Sequence, residues 1–202
     1  MVGSADFDFL SRGAVEAAPR LLGCLLVHDT ADGTVALRIT EVEAYAGTDD
    51  PASHSFRGPR PSNLVMFGPP GHLYVYRSHG IHWCGNVVAD LDGVASGLLL
   101  RAGEIVEGRD IAQRRRGERV TERDLARGPG RLGQALGITG ADGGTPLTTG
   151  GPLRLELGTP VRPTRVRRGP RVGVSRAADV PWRFWIDAEP SVSAYRRSPR
   201  AE

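Results

Sequence analysis

The stretch that most restricts how this chain folds is Leu73-Tyr74-Val75-Tyr76-Arg77-Ser78-His79-Gly80-Ile81-His82-Trp83-Cys84-Gly85-Asn86-Val87-Val88. It reads as strand, tight turn and strand. Val, Tyr, Ile and Trp suit a pleated, half-buried surface, and Gly80 supplies the positive φ that a hairpin turn requires. A period of two puts Tyr74 and Tyr76 on one face of the first strand and Leu73 and Val75 on the other. The second strand divides into Ile81, Trp83, Gly85 and Val87 against His82, Cys84, Asn86 and Val88. One hairpin thus carries rings, imidazoles and an amide, with His79 at its tip. Such a projection suits stacking against, or wedging between, flat ligands such as nucleobases. Cross-strand core packing explains the same residues without any ligand.

A second informative strand precedes it. Asp32-Gly33 signals a turn, and residues 35–45 alternate in character. Val35, Leu37 and Ile39 share a face, and the same parity brings Glu41, Glu43 and Tyr45 onto it. Buried carboxylates are costly unless paired or placed in a polar cleft. Two outcomes follow. Either the strand end forms a pocket wall with a working carboxylate, or a bulge rotates it outward and leaves both acids as solvated surface.

Elsewhere the pattern predicts a helix over 14–22 limited by Pro19, a buried strand over 24–28, and a two-sided strand over 98–102. It further predicts a helix over 104–116 with a basic end, a short helix opened by a capping box at Thr121-Glu122-Arg123-Asp124, and another over 130–136. Short strands are expected at 153–157, 171–174 and 182–186. Residues 46–71 form a long Gly-, Pro- and Ser-rich segment carrying His54, Arg57, Arg60 and Asn63, of a length often tied to function. The 202 residues suit a single domain over 1–202, with tails at about 1–8 and 194–202 expected to fray.

Charge is unevenly spread. Net charge is +3, but the first hundred residues hold 6 arginines against 11 acids, and the remainder 20 against 12. Arg162, Arg165, Arg167, Arg168 and Arg171 make the strongest electrostatic footprint for nucleic acid. No lysine is present, so a Schiff-base mechanism has only the N-terminal amine available. Cys24 and Cys84 form no framework, and no apolar run spans a bilayer nor does the start resemble a signal peptide. The expectation is a cytoplasmic, nucleoid-associated protein without a membrane partner.

His72, His79, His82 and Cys84 invite a metal reading, but a hairpin points them in different directions and no ligand motif supports it, so no metal is expected. Glu41 and Glu43 at i, i+2 would lie roughly 6–7 Å apart on a strand. That approaches the carboxylate spacing of inverting glycosidases, roughly 6.5–9.5 Å, and suggests glycosidic hydrolysis without naming the glycoside.

Several ordered motifs carry a resemblance. They are Glu41-Val42-Glu43-Ala44-Tyr45, His54-Ser55-Phe56-Arg57-Gly58, Met66-Phe67-Gly68-Pro69-Pro70-Gly71-His72-Leu73-Tyr74-Val75-Tyr76, Gly80-Ile81-His82-Trp83-Cys84-Gly85-Asn86 and Leu99-Leu100-Arg101-Ala102. With Gly128-Pro129-Gly130-Arg131-Leu132-Gly133-Gln134-Ala135-Leu136 and Arg171-Val172-Gly173-Val174, they resemble the 3-methyladenine (alkyladenine) DNA glycosylase family over roughly residues 9–193. The resemblance implies an α+β fold: one domain, a curved, mainly antiparallel sheet with surrounding helices, and a protruding hairpin that enters duplex DNA. It implies a monofunctional enzyme of base excision repair. A damaged purine is flipped into a pocket and its N-glycosidic bond hydrolysed, leaving an abasic site, with no cofactor. By position Glu43 matches the general base and Arg101 its neighbour. Tyr45, His54 and Tyr76 match the rings around the base, and Asn86 the amide that screens against a guanine 2-amino group. His79 matches the intercalating tip, and Ile81, His82, Arg60 and Asn63 are DNA-contact candidates.

Two departures stand out. The tip position, a tyrosine in the family, is His79, and Ser62 stands where the family has arginine before Asn63. Two rival readings remain. A non-catalytic lesion-binding protein would hold an abasic-analogue duplex without releasing base, and a nucleoside or sugar hydrolase would act on free nucleosides. A duplex-binding wedge works as a monomer, which is the expected state.

Overall fold

The computed structural model describes residues 4–202. Residues 1–3 of the expected N-terminal tail lie outside the described residues. From Ser4 the chain forms a 3₁₀ helix, Ser4–Arg12, that buries Phe7 and Phe9. A single antiparallel sheet organises the rest. Its strands are β1 (Leu25–Thr30), β2 (Gly33–Tyr45), β3 (Leu73–Ser78), β4 (His82–Val88), β5 (Gly97–Glu107), β6 (Leu153–Glu156), β7 (Val166–Gly169) and β8 (Arg183–Ile186). The main path runs β3-β4-β5-β2-β1-β6, while β8 joins β2 and β7 joins β8. Helices α1 (Ala14–Leu21), α2 (Arg109–Arg116) and α3 (Pro129–Leu136) surround it. This is the expected α+β architecture with a mainly antiparallel sheet.

β2 is the spine. β5 pairs along its whole length on one side. On the other side β1 pairs with residues 33–38 and β8 takes over at Glu41, Val42 and Glu43. Where the neighbour changes, the register with β5 slips twice: Ile39 faces Gly103, Glu41 faces Ala102 and Val42 faces Leu100. Thr40 is therefore an extra residue on β2, and Arg101 an extra residue on β5. A bulge reverses the alternation beyond it. Val35, Leu37 and Ile39 lie in the core, but after Thr40 it is Val42 and Ala44 that do. Glu41, Glu43 and Tyr45 are thus not on the core face, as unbroken parity predicts. The bulge exists, yet it does not solvate the acids: Glu41 and Glu43 are both 0% exposed.

Straight across the sheet, Leu73, Val87, Leu98 and Ala44 face one another in sequence, and all are fully buried in the core. The adjacent row is Tyr74, Asn86, Leu99, Glu43 and Arg183, on the opposite face. One row builds the core and the next builds the site.

Some expected elements differ. β5 continues to Glu107, so residues 104–107 are strand, not the start of a helix. Pairing with Ala36, Leu37 and Arg38 extends it, and Gly108, at φ 68°, breaks the chain before α2. The Thr121 hydroxyl donates to the Asp124 carboxylate rather than capping backbone, and only a 3₁₀ turn, Glu122–Asp124, follows. Residues 171–174 form a loop, not a strand. The C-terminal residues make contacts with the body of the fold: Gly173 N–H donates to the Arg196 carbonyl, Glu202 N–H to the Ser175 carbonyl, and Arg197 pairs with Asp179. Among the described residues no helix is long and apolar enough to cross a membrane.

Candidate active site

The site row opens into a cavity of about 410 Å³ lined by Glu43, Tyr45, His54, Tyr74, Tyr76 and His79, together with Asn86, Leu99, Arg101 and residues 172–175. A larger groove of about 900 Å³ lies elsewhere, where Arg20, Arg167 and Arg168 meet Phe9 and Phe184; none of the buried carboxylates reaches it. The smaller cavity is the one that holds Glu43.

Its floor is ionic. Glu43 Oε1 accepts the Val172 N–H at 2.7 Å, and Oε2 accepts the Tyr45 hydroxyl at 2.9 Å. Arg101 Nη1 lies 3.4 Å from Glu43 Oε1, while its Nε donates to Glu41 Oε1 at 2.9 Å. Burial works against the Arg101 charge, but Glu43 and Glu41 outweigh it and raise its pKa above the ordinary value. Burial, then the adjacent Glu43 carboxylate, pushes the Tyr45 phenol well above its usual range, so it stays protonated and donates. Behind Tyr45, Arg171 sits 4.6 Å from the ring centroid and 5.3 Å from that of Trp182. Arg171 and Asp50 are both fully enclosed and joined by two hydrogen bonds.

The walls are aromatic. His54 meets Tyr76 edge to face at 4.6 Å, and its Nδ1 lies 3.2 Å from the Tyr74 hydroxyl. Tyr74 and Tyr76 stack at 6.0 Å. Burial lowers the His54 pKa and raises that of Tyr76, so at neutral pH both rings are uncharged. Asn86 donates its amide N–H to the Tyr74 carbonyl at 3.2 Å, which fixes the side chain against the wall.

At the mouth is the β3–β4 tip. His79 and Gly80 both have positive φ, 51° and 68°, and Ile81 N–H closes the turn on the Ser78 carbonyl. His79, Ile81 and His82 are exposed, Ile81 at 69%. His79 borders both the cavity and a neighbouring surface groove lined by Arg60, Asn63, Arg77 and Trp83.

The structure thus gathers Glu43, Arg101, Tyr45, His54, Tyr76, Asn86 and His79 around one cavity. Arg60 is exposed beside it. Asn63 is a correction: it is 2% exposed, its amide donates to the His54 and Gly58 carbonyls, and its oxygen accepts the Arg60 N–H. It braces the loop that carries His54, at the border of the groove beside the tip. Arg171 is a second correction, buried with Asp50 instead of contributing to a basic surface, and Arg165 and Arg167 engage Asp187. Sequence reasoning missed Asp50, Arg183, Val172 and Ser193. The only signal available was an arginine flanking each of two short apolar stretches, Arg171 and Arg183.

A family model for methylpurine-DNA glycosylase matches residues 8–190. The chain belongs to the methylpurine-DNA glycosylase family. Among curated relatives, one from Frankia casuarinae is 53% identical over 205 residues, covering 96% of this chain and 94% of its own. One from Mycobacterium sp. (strain KMS) is 56% identical over 200 residues, covering 96% and 95%. A third, from Streptomyces avermitilis, is 52% identical over 197 residues, covering 96% and 92%. All three bear the name "Putative 3-methyladenine DNA glycosylase".

Proposed function

We propose that this chain is a monofunctional DNA glycosylase that hydrolyses the N-glycosidic bond of alkylated or deaminated purines, the 3-methyladenine class, flipped out of duplex DNA. The observation that carries this reading is a fully buried Glu43 sharing one cavity with Tyr45, His54 and Tyr76. Family membership and the names of the relatives support the DNA substrate.

The chemistry follows from charge. Alkylation at a ring nitrogen makes the purine cationic, hence a good leaving group, and a π-rich slot favours a flat cation. As the bond between C1′ and the base nitrogen breaks, its electron pair leaves with the base and the sugar gains oxocarbenium character. Glu43 stabilises that charge and takes a proton from the water whose oxygen bonds to C1′. The product is an abasic site. Arg101 sits beside Glu43 and balances its charge, and Asn86 presents a fixed amide to the base edge. His79 at the exposed tip fills the gap left in the stack. The absence of lysine supports base release without strand cleavage. A monomer suffices for this arrangement.

The test is a duplex oligonucleotide bearing one methylated adenine or ethenoadenine, incubated with the protein in EDTA. The wild type generates an alkali-labile site and Glu43→Gln does not. A wild type without excision, or a fully active Glu43→Gln, removes the reading. Activity on free nucleosides favours a nucleoside hydrolase instead.

A further inference from the structure

Glu41 is a second fully buried carboxylate, two residues from Glu43, and it does not line the cavity. Its Oε1 accepts from Arg101 Nε at 2.9 Å, Arg183 Nε at 2.6 Å and Ser193 Oγ at 2.9 Å. Its Oε2 accepts the Ser193 N–H at 2.6 Å. With four donors on it, Glu41 has no role as a base toward a ligand. Its action is on Arg101. A guanidinium prefers to grip a carboxylate through two parallel bonds. Here Nε is spent on Glu41 and Nη2 reaches Ser193 Oγ at 3.3 Å. Only Nη1 approaches Glu43, and at 3.4 Å it makes an ion pair without a hydrogen bond.

Resting on the glycosylase reading, we propose that Glu41 is a positioning residue: it holds Arg101 side-on, so that Arg101 supplies charge to Glu43 without occupying the lone pairs that receive the water proton. The Thr40 bulge makes this possible, because it turns Glu41 and Glu43 together toward the face that carries Arg101. The charged and titratable groups facing Glu43 are Tyr45 on its own strand, Tyr76 on β3, Arg101 on β5 and Arg183 opposite it on β8, with Arg171 behind Tyr45. Without Glu41, Arg101 swings onto Glu43 as a fork. Two guanidinium donors then occupy its lone pairs, and it accepts the water proton less readily.

The experiment is single-turnover excision as a function of pH, beside affinity for an abasic-analogue duplex. Glu41→Gln lowers the plateau rate by ~10-fold or more, moves the acid limb of the profile to lower pH, and leaves the affinity unchanged. If the single variant does not fold, Glu41→Gln with Arg183→Met removes one charge of each sign and gives the same lowered plateau and displaced limb. Wild-type rate and limb in either protein overturn the proposal. So does a rate loss that tracks the affinity while the acid limb stays in place, which marks a merely structural role. An inactive wild type sinks the glycosylase reading itself, whereas an active wild type with an indifferent Glu41→Gln sinks only this inference.

Discussion

The floor of the cavity and the tip of the hairpin lie within one site but are built on opposite principles. In and behind the floor, Glu41, Glu43, Asp50, Arg101, Arg171 and Arg183 are buried, with Glu41 paired to Arg101 and Arg183, Glu43 to Arg101, and Asp50 to Arg171. Desolvating so many charges is expensive, and only dense pairing offsets it. At the tip, residues 79–82 are exposed and shaped by one turn hydrogen bond, with Ser78 Oγ against His79 Nδ1 at 3.0 Å. The floor is preorganised before any ligand arrives, as electrostatic catalysis requires. The tip is held by its turn and one local side-chain contact, and its side chains are exposed.

That contrast predicts that floor substitutions alter rate and stability, while tip substitutions alter affinity alone. The largest effect belongs to Glu43→Gln, with a single-turnover excision loss of ~10²–10⁴-fold, the range for a general base. Retained excision would break the distinction at once. Next is Asp50→Ala, which leaves Arg171 enclosed without its carboxylate. Urea unfolding should show a loss of about 3–5 kcal/mol. A near-neutral result would mean that the floor is not over-determined by pairing. At the tip, His79→Ala should weaken binding to an abasic-analogue duplex by about 1–3 kcal/mol with an unchanged melting temperature. His79→Tyr should retain or raise affinity, and equal affinity in all three proteins removes His79 from the wedge role.

The smallest effect concerns His54, which stands between the two regions. Burial holds its folded-state pKa below the ordinary imidazole value. The unfolded chain therefore takes up the proton first on acidification. Stability on this account is intact above the ordinary value and declines as pH falls below it toward the lower folded-state pKa. His54→Gln should flatten that part of a melting-temperature profile slightly. An unaltered profile would show that burial does not lower the pKa of this ring.

How much of this was legible in the sequence follows the range of the contacts. The hairpin, its division into a Tyr74–Tyr76 face and a Leu73 face, and the clustering of Glu43 with Tyr45 are local, period-two patterns and appear as expected. A bulge is one of the two outcomes the strand pattern leaves open, but its place at Thr40 is not readable, because it depends on where β1 ends and β8 begins, and those strands lie far apart in the chain. Arg171 has the composition of a surface cation. Its burial is decided by Asp50, 121 residues earlier. Helical periodicity over 104–107 lost to pairing with β2, a tertiary contact overriding a local preference. Asn63 was misjudged for a related reason, since its bonds fold a loop and loop geometry leaves no period to read.

The bond from Ser193 to Glu41 joins residues 152 positions apart. During synthesis the acid at position 41 therefore emerges long before the N–H that binds it exists. A chain that stops short of residue 193 lacks both the N–H and the hydroxyl that Ser193 donates to Glu41, and its ionic cluster is unfinished.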